Sequence, residues 1–304
     1  MEFLIGGASS MGAVFFTNPL EVFKIRMQLQ GELKAKGTHA VHYKNIFHAF
    51  YTVVKNDGVL ALQKGLTPAL AVQLILNGTR LGTVHMAEKR GHIKDTNGNI
   101  KFHRVVIFGG LSGGLGQFLA SPFFLLKTHF QSKATSSIAV GYQHHHEGLW
   151  KGLRKIYETH GIRGLYRGAT FSIPRATVGS VTQLSSFEYA KQHLLKYDYF
   201  KENSLATSFL GSMVGGVVIS IVMTPFDLIM VRNYNQPTDA RGKGLMYTSY
   251  MNCVMKIYET EGLSAFYKGF GPMYFRLGPH TVLSLVFWDQ LKSLHEKFIA
   301  ESKP

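Results

Sequence analysis

The stretch FLIGGASSMGAVFFTNPLEVFKIR, residues 3–26, decides how the rest of the chain is read. Its opening run, Phe3–Leu20, carries no charged residue. That is long enough for an α-helix to cross the hydrocarbon of a bilayer, and it lacks the alternation of a barrel strand. Glu2 is the only charged side chain ahead of it. With no basic leader and no A-x-A cleavage site, the run reads as a retained helix with no cleavable presequence. Pro19 lies near its end, followed by Glu21, Lys24 and Arg26.

The pattern returns twice. Val105–Leu126 and Asn203–Phe226 are also uncharged, and Pro122 and Pro225 lie near their ends, so the prolines are spaced 103 and 103 residues apart. Two downstream markers keep nearly the same step. One is Asp57-Gly58, His160-Gly161 and Glu261-Gly262; the other is Lys64-Gly65, Arg167-Gly168 and Lys268-Gly269. A fixed period of this kind marks tandem structural units, here residues 1–98, 99–201 and 202–304. Each unit opens with a Gly-rich apolar segment, whose small residues permit close helix contact in lipid. A polar linker follows, then a short amphipathic stretch such as Ile46–Lys55 or Tyr250–Thr260. A second apolar segment completes each unit and carries or adjoins one arginine: Arg80, Arg175 or Arg276. Charges at that depth face a bundle interior or a water-filled cavity. The fold expected is an all-α membrane protein with six transmembrane helices in three tandem repeats, threefold pseudosymmetric, with short amphipathic helices along one face.

Composition narrows the function. Lys and Arg number 33 against 18 Asp and Glu, a net charge of +15, which calls for an anionic partner. The basic residues are scattered along the chain, with no zinc-finger spacing, RNP-type motif or basic tail, so nucleic acid is not that partner. The single cysteine excludes a disulfide framework or a cysteine-cluster metal site. Cys253 reads as a packed residue. His144-His145-His146 lies in a polar linker without acids spaced as ligands, and reads as a solvated loop rather than a metal site. No Ser-His-Asp arrangement or phosphate loop suggests an enzyme, and no cofactor is implied.

With these markers in hand, the chain resembles the mitochondrial carrier family, solute carrier family 25. The family's signature, Pro-x-acid-x-x-base-x-base, is complete in Pro19-Leu20-Glu21-Val22-Phe23-Lys24-Ile25-Arg26. The second copy has Phe124 for the acid and His129 for the last base; the third keeps Asp227 but has Met230 for the first base. The aromatic-base-Gly element is intact at Tyr166-Arg167-Gly168 and Tyr267-Lys268-Gly269, whereas Gln63 replaces the aromatic in the first repeat. Physically, a proline in an apolar helix kinks it and turns the next polar turn toward the axis.

The resemblance implies a matrix-side gate of ion pairs, Glu21–Lys127 and Asp227–Lys24. The third pair would be Phe124 with Met230, both charges lost together; losing one alone would leave an unpaired buried charge, whereas this pair can make a sulfur–aromatic contact. Gln28, Gln131 and Tyr234, nine residues after each proline, would brace the gate. At the cytoplasmic end the family's aromatic-acid-x-x-base element matches Phe187-Glu188 with Lys191 and Trp288-Asp289 with Lys292. The first repeat has Val84-His85 and Glu88 instead, so a partial gate is expected.

The family's substrate-contact positions fall at Val72-Gln73, Arg175-Ala176 and Arg276-Leu277. Gln73, Asn77 and Arg80 share one helix face at about 100° per residue; His280 lies one turn beyond Arg276, and Gln183 two turns beyond Arg175. Three arginines, two amides and a histidine, plus an asparagine on the Gln73 face, with no acid expected at their depth, suit a small anion with two charged ends, because guanidinium forks match carboxylate, phosphate or sulfate oxygens. No aromatic pocket suggests adenine. The resemblance is closest to the oxaloacetate-carrier branch, which includes members 34 and 35, through Asn77-Gly78-Thr79-Arg80-Leu81-Gly82 and the asymmetric signatures. It implies oxaloacetate, malate, malonate or sulfate as substrate, a mitochondrial inner-membrane location, cardiolipin as a lipid partner near the repeat glycines, and a monomer. A non-transporting scaffold or receptor and a proton-leak carrier share the fold and stay open as alternatives.

Overall fold

The computed structural model describes residues 2–35, 37–90 and 102–301; the side chains of Arg80, His85, Glu88 and Glu188 lie outside the described set. The chain forms α1 (Glu2–Leu29), α2 (Ile46–Asp57), α3 (Leu66–Lys89), α4 (Phe102–Leu119), α5 (Ser121–Ser132) and α6 (Leu149–Leu165). It continues with α7 (Ala169–Leu194), α8 (Asp198–Glu202), α9 (Ser204–Asn235), α10 (Tyr250–Glu261) and α11 (Phe270–Glu301).

The long helices close a ring in which each packs on its neighbours: α1 on α3, α3 on α4, α4 on α7, α7 on α9, α9 on α11, and α11 back on α1. Small residues set the spacing where the helices approach most closely. A Cβ at Gly215 of α9 would lie 3.1 Å from the Ser186 backbone of α7, and one at Gly12 of α1 would lie 2.8 Å from the Phe287 ring of α11. Large apolar side chains of α1, α4 and α9, among them Phe16, Leu111 and Val214, face outward and exposed. Ionisable residues of the same ring, Glu21, Lys24, Lys127 and Asp227, are buried inside it. An apolar exterior around a charged interior is the inverse of a soluble bundle and suits a lipid environment. By length and hydropathy alone, only Val59–Thr79 and Ala206–Asn235 qualify as spans among the described residues. Of the other long helices, α7 and α11 carry Arg175 and Arg276, which line the interior cavity.

The three prolines act differently. Pro19 and Pro225 sit inside the continuous helices α1 and α9, whereas in the second repeat the helix breaks at Ala120 and Pro122 lies in the first turn of α5. At this proline end lie α2, α6 and α10. Asn45 and Ser249 cap α2 and α10 by accepting from the N–H groups of His48 and Asn252. The repeat glycines have a backbone reason. Gly58 and Gly262 close α2 and α10 at φ values of 81° and 78°, and Gly161 kinks α6 at 64°, where a side chain is strained. Gly65, Gly168 and Gly269 also have positive φ, and each abuts the next repeat: added Cβ atoms would meet the side chains of Gln131, Tyr234 and Gln28 at 2.7, 2.9 and 3.0 Å. One contact repeated three times closes the ring.

Candidate functional site

A cavity of about 240 Å³ lies inside the ring. Its floor holds Glu21, Phe124 and Lys127, and Gln73, Asn77, Arg175, Gln183, Arg276 and His280 line its walls. The floor residues lie two and five positions past each proline, where α1, α5 and α9 converge. Lys127 pairs with Glu21, and the Lys24 ammonium lies 2.8 Å from Asp227. Gln28 donates to Asp227 at 3.1 Å. Gln131 instead donates to Asn18 at 2.9 Å, and the Tyr234 hydroxyl bonds with that of Ser121 at 2.9 Å. Of the three expected braces, Gln28 therefore touches a gate carboxylate, while Gln131 and Tyr234 bind one step back. Phe124 and Met230 are buried in one apolar cluster. The Lys127 ammonium sits 5.4 Å from the Phe124 ring centroid, and the Met230 sulfur accepts from Gln117 at 3.9 Å.

The walls correct one expectation. Arg175 and Arg276 have acids at their depth. The Arg175 Nε donates to Asp227 at 2.6 Å, and Arg276 lies 3.3 Å from Glu21. Each carboxylate thus serves a lysine of the floor and an arginine of the wall. Two acids face four bases, Lys24, Lys127, Arg175 and Arg276, leaving two positive charges over. The Arg276 Nε is buried with no hydrogen-bond partner. Asn77 donates to the Gln73 backbone carbonyl at 3.1 Å, and His280 shares a 3.4 Å contact with Thr17. Arg80 occupies α3, but its side chain is outside the described residues.

At the opposite end lie Lys191, Asp289 and Lys292. Among the described residues no ion pair joins Lys191, Asp289 or Lys292, and the last two are exposed. Glu188 is again outside the described side chains. The cavity is shut at the proline end, where the acids and bases meet.

The profile of the mitochondrial carrier protein family matches residues 1–92, 98–198 and 201–298. The chain belongs to the mitochondrial carrier family. It is 49% identical to mouse solute carrier family 25 member 35 over 98% of this chain and 99% of that protein. It is 38% identical to the mitochondrial oxaloacetate transport protein of Saccharomyces cerevisiae, over 96% of this chain and 89% of that one. With the mitochondrial citrate transporter E of Aspergillus niger it shares 35% identity, over 99% and 96% of the two chains.

Beneath the floor this carrier holds a second layer that the repeat markers signalled without revealing its pairing. Asp57 sits between Arg26 at 2.7 Å and Lys64 at 3.2 Å. Burial alone would raise its carboxyl, but hydrogen bonds from Thr135 and Arg26 hold it at about 2. In the third repeat Glu261 takes both ends of the Arg232 guanidinium, at 2.5 and 2.8 Å, and Lys268 at 2.6 Å. Each set is the last base of the signature, the acid before the first repeat glycine, and the base before the second. In the second repeat the same positions are His129, His160 and Arg167. The acid is gone, and burial pushes the Arg167 guanidinium down to about 10. His144 and His146 fill the gap against His129, half-buried rather than solvated as the linker composition suggested. Burial draws both imidazoles down to about 4. Cys253 is fully buried, and burial pushes its thiol up to about 12.

Proposed function

We propose that this carrier moves a small dianion across the mitochondrial inner membrane by alternating access. A dicarboxylate or oxoacid such as oxaloacetate, malate or malonate fits, as does sulfate. The observation that carries the reading is the surplus of two positive charges at the cavity floor, with the Arg276 Nε buried and unpartnered. A dianion neutralises that surplus, and guanidinium forks suit carboxylate or sulfate oxygens. The yeast and Aspergillus relatives are named for oxaloacetate and citrate, which like the proposed substrates are small carboxylates.

In this mechanism the substrate competes with the gate. Arg175 and Arg276 leave Asp227 and Glu21 for the anion, with Gln73, Asn77, Arg80, Gln183 and His280 completing its contacts. Hydrogen bonds to charged groups contribute roughly 1.5–3 kcal/mol each, so moving two away weakens the closed floor by about 3–6 kcal/mol. Shifting a two-state equilibrium from 1:99 to 99:1 takes about 5.5 kcal/mol, so this exchange is large enough to open the matrix gate formed by Glu21, Lys24, Phe124, Lys127, Asp227 and Met230. Closing the other end then brings Glu188, Lys191, Asp289 and Lys292 together. Cardiolipin phosphates bind at the exposed rim of the linker helices, and the monomer is the working unit. Thermal unfolding of purified protein with single anions tests the reading. A dicarboxylate or sulfate should raise the midpoint, and cationic amino acids should not. No shift with any small anion, by folded protein, would leave the scaffold reading in its place.

A further inference from the structure

The second repeat departs from its siblings just where they place a bridging carboxylate, and the departure assembles a cluster of imidazoles instead. The coordinating nitrogens of His129, His144 and His146 all lie within 4.8 Å of one another. His129 Nδ1 is 3.0 Å from His146 Nε2. The rings of His129 and His144 stack with centroids 3.5 Å apart. Tautomers follow from the backbone. His129 Nε2 is 3.0 Å from the Tyr234 carbonyl, and His144 Nε2 is 3.0 Å from the Asn235 carbonyl. A carbonyl only accepts, so both Nε2 atoms carry the proton and both Nδ1 atoms the lone pair, that of His129 accepting from His146 Nε2. Histidines that ligate metals are oriented in this way, with the far N–H fixed on a carbonyl or carboxylate. His146 adds Nε2 once its proton moves to the buried Nδ1, which has no other hydrogen-bond partner.

From this geometry we propose that His129, His144 and His146 form a site for one borderline divalent transition-metal ion, zinc being the reference, with an anion as fourth ligand. Imidazole suits such ions, and three histidines leave one tetrahedral position open. Zinc–nitrogen bonds of about 2.0–2.1 Å put tetrahedral ligand atoms roughly 3.3 Å apart, close to the His129–His146 separation, while His144, its ring stacked parallel to that of His129, has to turn out of the stack and off the Asn235 carbonyl to point its Nδ1 at the same ion. The open position faces a cavity of about 160 Å³ also lined by Lys155, His160 and Arg167. The cations on that wall would repel a bare dication, so the fourth ligand has to be anionic: hydroxide, chloride or a carboxylate. The Arg167 Nε, buried without a partner, supplies its hydrogen bond. Metal and anion together would then do for the second repeat what Asp57 and Glu261 do for the others, tying the last signature helix to the linker. The site is separate from the central cavity and does not depend on what is carried.

The test uses full-length protein without an affinity tag, stripped of metal in cardiolipin-containing nanodiscs, and titrated with zinc chloride against a chromophoric chelator. The expected result is one zinc per chain at micromolar affinity or tighter. His144→Gln and His146→Gln should each weaken it at least about tenfold, while His145→Gln, on the exposed neighbour, leaves it unchanged. Zinc-edge absorption of the wild-type protein should show three nitrogens at about 2.0–2.1 Å and one further light ligand, a readout that needs no variant to fold. Absence of micromolar zinc binding, equal affinity in the His144 and His146 variants, or an equal loss in the His145 variant would overturn the proposal.

Discussion

Replacing Arg276 with alanine separates a substrate-binding arginine from one that merely holds the floor together. Arg276 reaches Glu21 at 3.3 Å, a long contact for an ion pair, and Glu21 keeps Lys127 as its main partner. The lost contact therefore belongs at the low end of the range for charged hydrogen bonds, about 1.5 kcal/mol. For a chain of this size that lowers the unfolding midpoint by roughly 3 °C. Arg175 makes a 2.6 Å bond to Asp227 and should cost more, nearer 3 kcal/mol and about 6 °C. The order reverses nothing in binding: each alanine removes one charged contact to the anion, and each should weaken it about 10–100-fold. The assay is paired: unfolding midpoints of the apo proteins, and KM for dianion uptake by reconstituted vesicles. Lysine at either site should recover part of the charge and little of the affinity, because it lacks the planar fork. Wild-type KM in both alanine variants, alongside lower midpoints, would refute the exchange between gate and substrate and leave the arginines as structural props.

Three further outcomes follow from the surrounding chemistry. Glu261→Gln strips Arg232, which is fully buried, of its two-point partner; breaking such a pair costs about 3–5 kcal/mol and should lower the midpoint by roughly 6–10 °C, while Glu158→Gln on exposed α6 should leave it unmoved. Glu32, bonded by the Tyr247 hydroxyl at 2.9 Å, has its carboxyl raised to about 7, chiefly by burial. A raised folded-state value means stability is full below the unfolded value near 4.5 and is lost as pH rises through about 7. Glu32→Gln should therefore gain on wild type in unfolding scans between about pH 4.5 and pH 7, the window between the unfolded and folded values, and a constant difference across it would contradict the assignment. Cys253, the only thiol, is fully buried, and burial raises its titration to about 12; folded protein should resist maleimide labelling and keep its uptake, and rapid labelling would show that α10 opens.

Much of this was legible because backbone geometry imposes the same requirement three times. Gly58, Gly161 and Gly262 need positive φ, and Gly65, Gly168 and Gly269 need both positive φ and room beside the next repeat, so the period survives where side chains diverge. Helical spacing also brought Gln73, Asn77, Arg175, Gln183, Arg276 and His280 to one cavity wall. What spacing along a helix does not convey is depth relative to another helix. Arg175 on α7 and Asp227 on α9 are 52 residues apart and meet only because the two helices pack side by side. Acids on neighbouring helices changed a set of free arginines into a shared network. Gln131 turned to Asn18 for a similar reason: its amide reaches the nearest helix rather than the neighbouring ion pair. The histidine cluster was hidden more completely. Fifteen residues separate His129 from His144, and the intervening chain folds back so that both rings reach carbonyls at the end of α9. No local pattern encodes that return.

The central claim is that the surplus positive charge at the cavity floor exists to bind a small dianion in transit. Uptake into cardiolipin-containing liposomes, loaded internally with one anion and offered labelled oxaloacetate, malate, malonate, sulfate, citrate, phosphate, nucleotide or a cationic amino acid, tests it most directly. We expect saturable uptake of one or more small dianions, abolished in the Arg175→Ala, Arg276→Ala double variant while the protein stays folded. Transport of nucleotide or of a cationic amino acid, or dianion uptake that persists in the double variant, would contradict it.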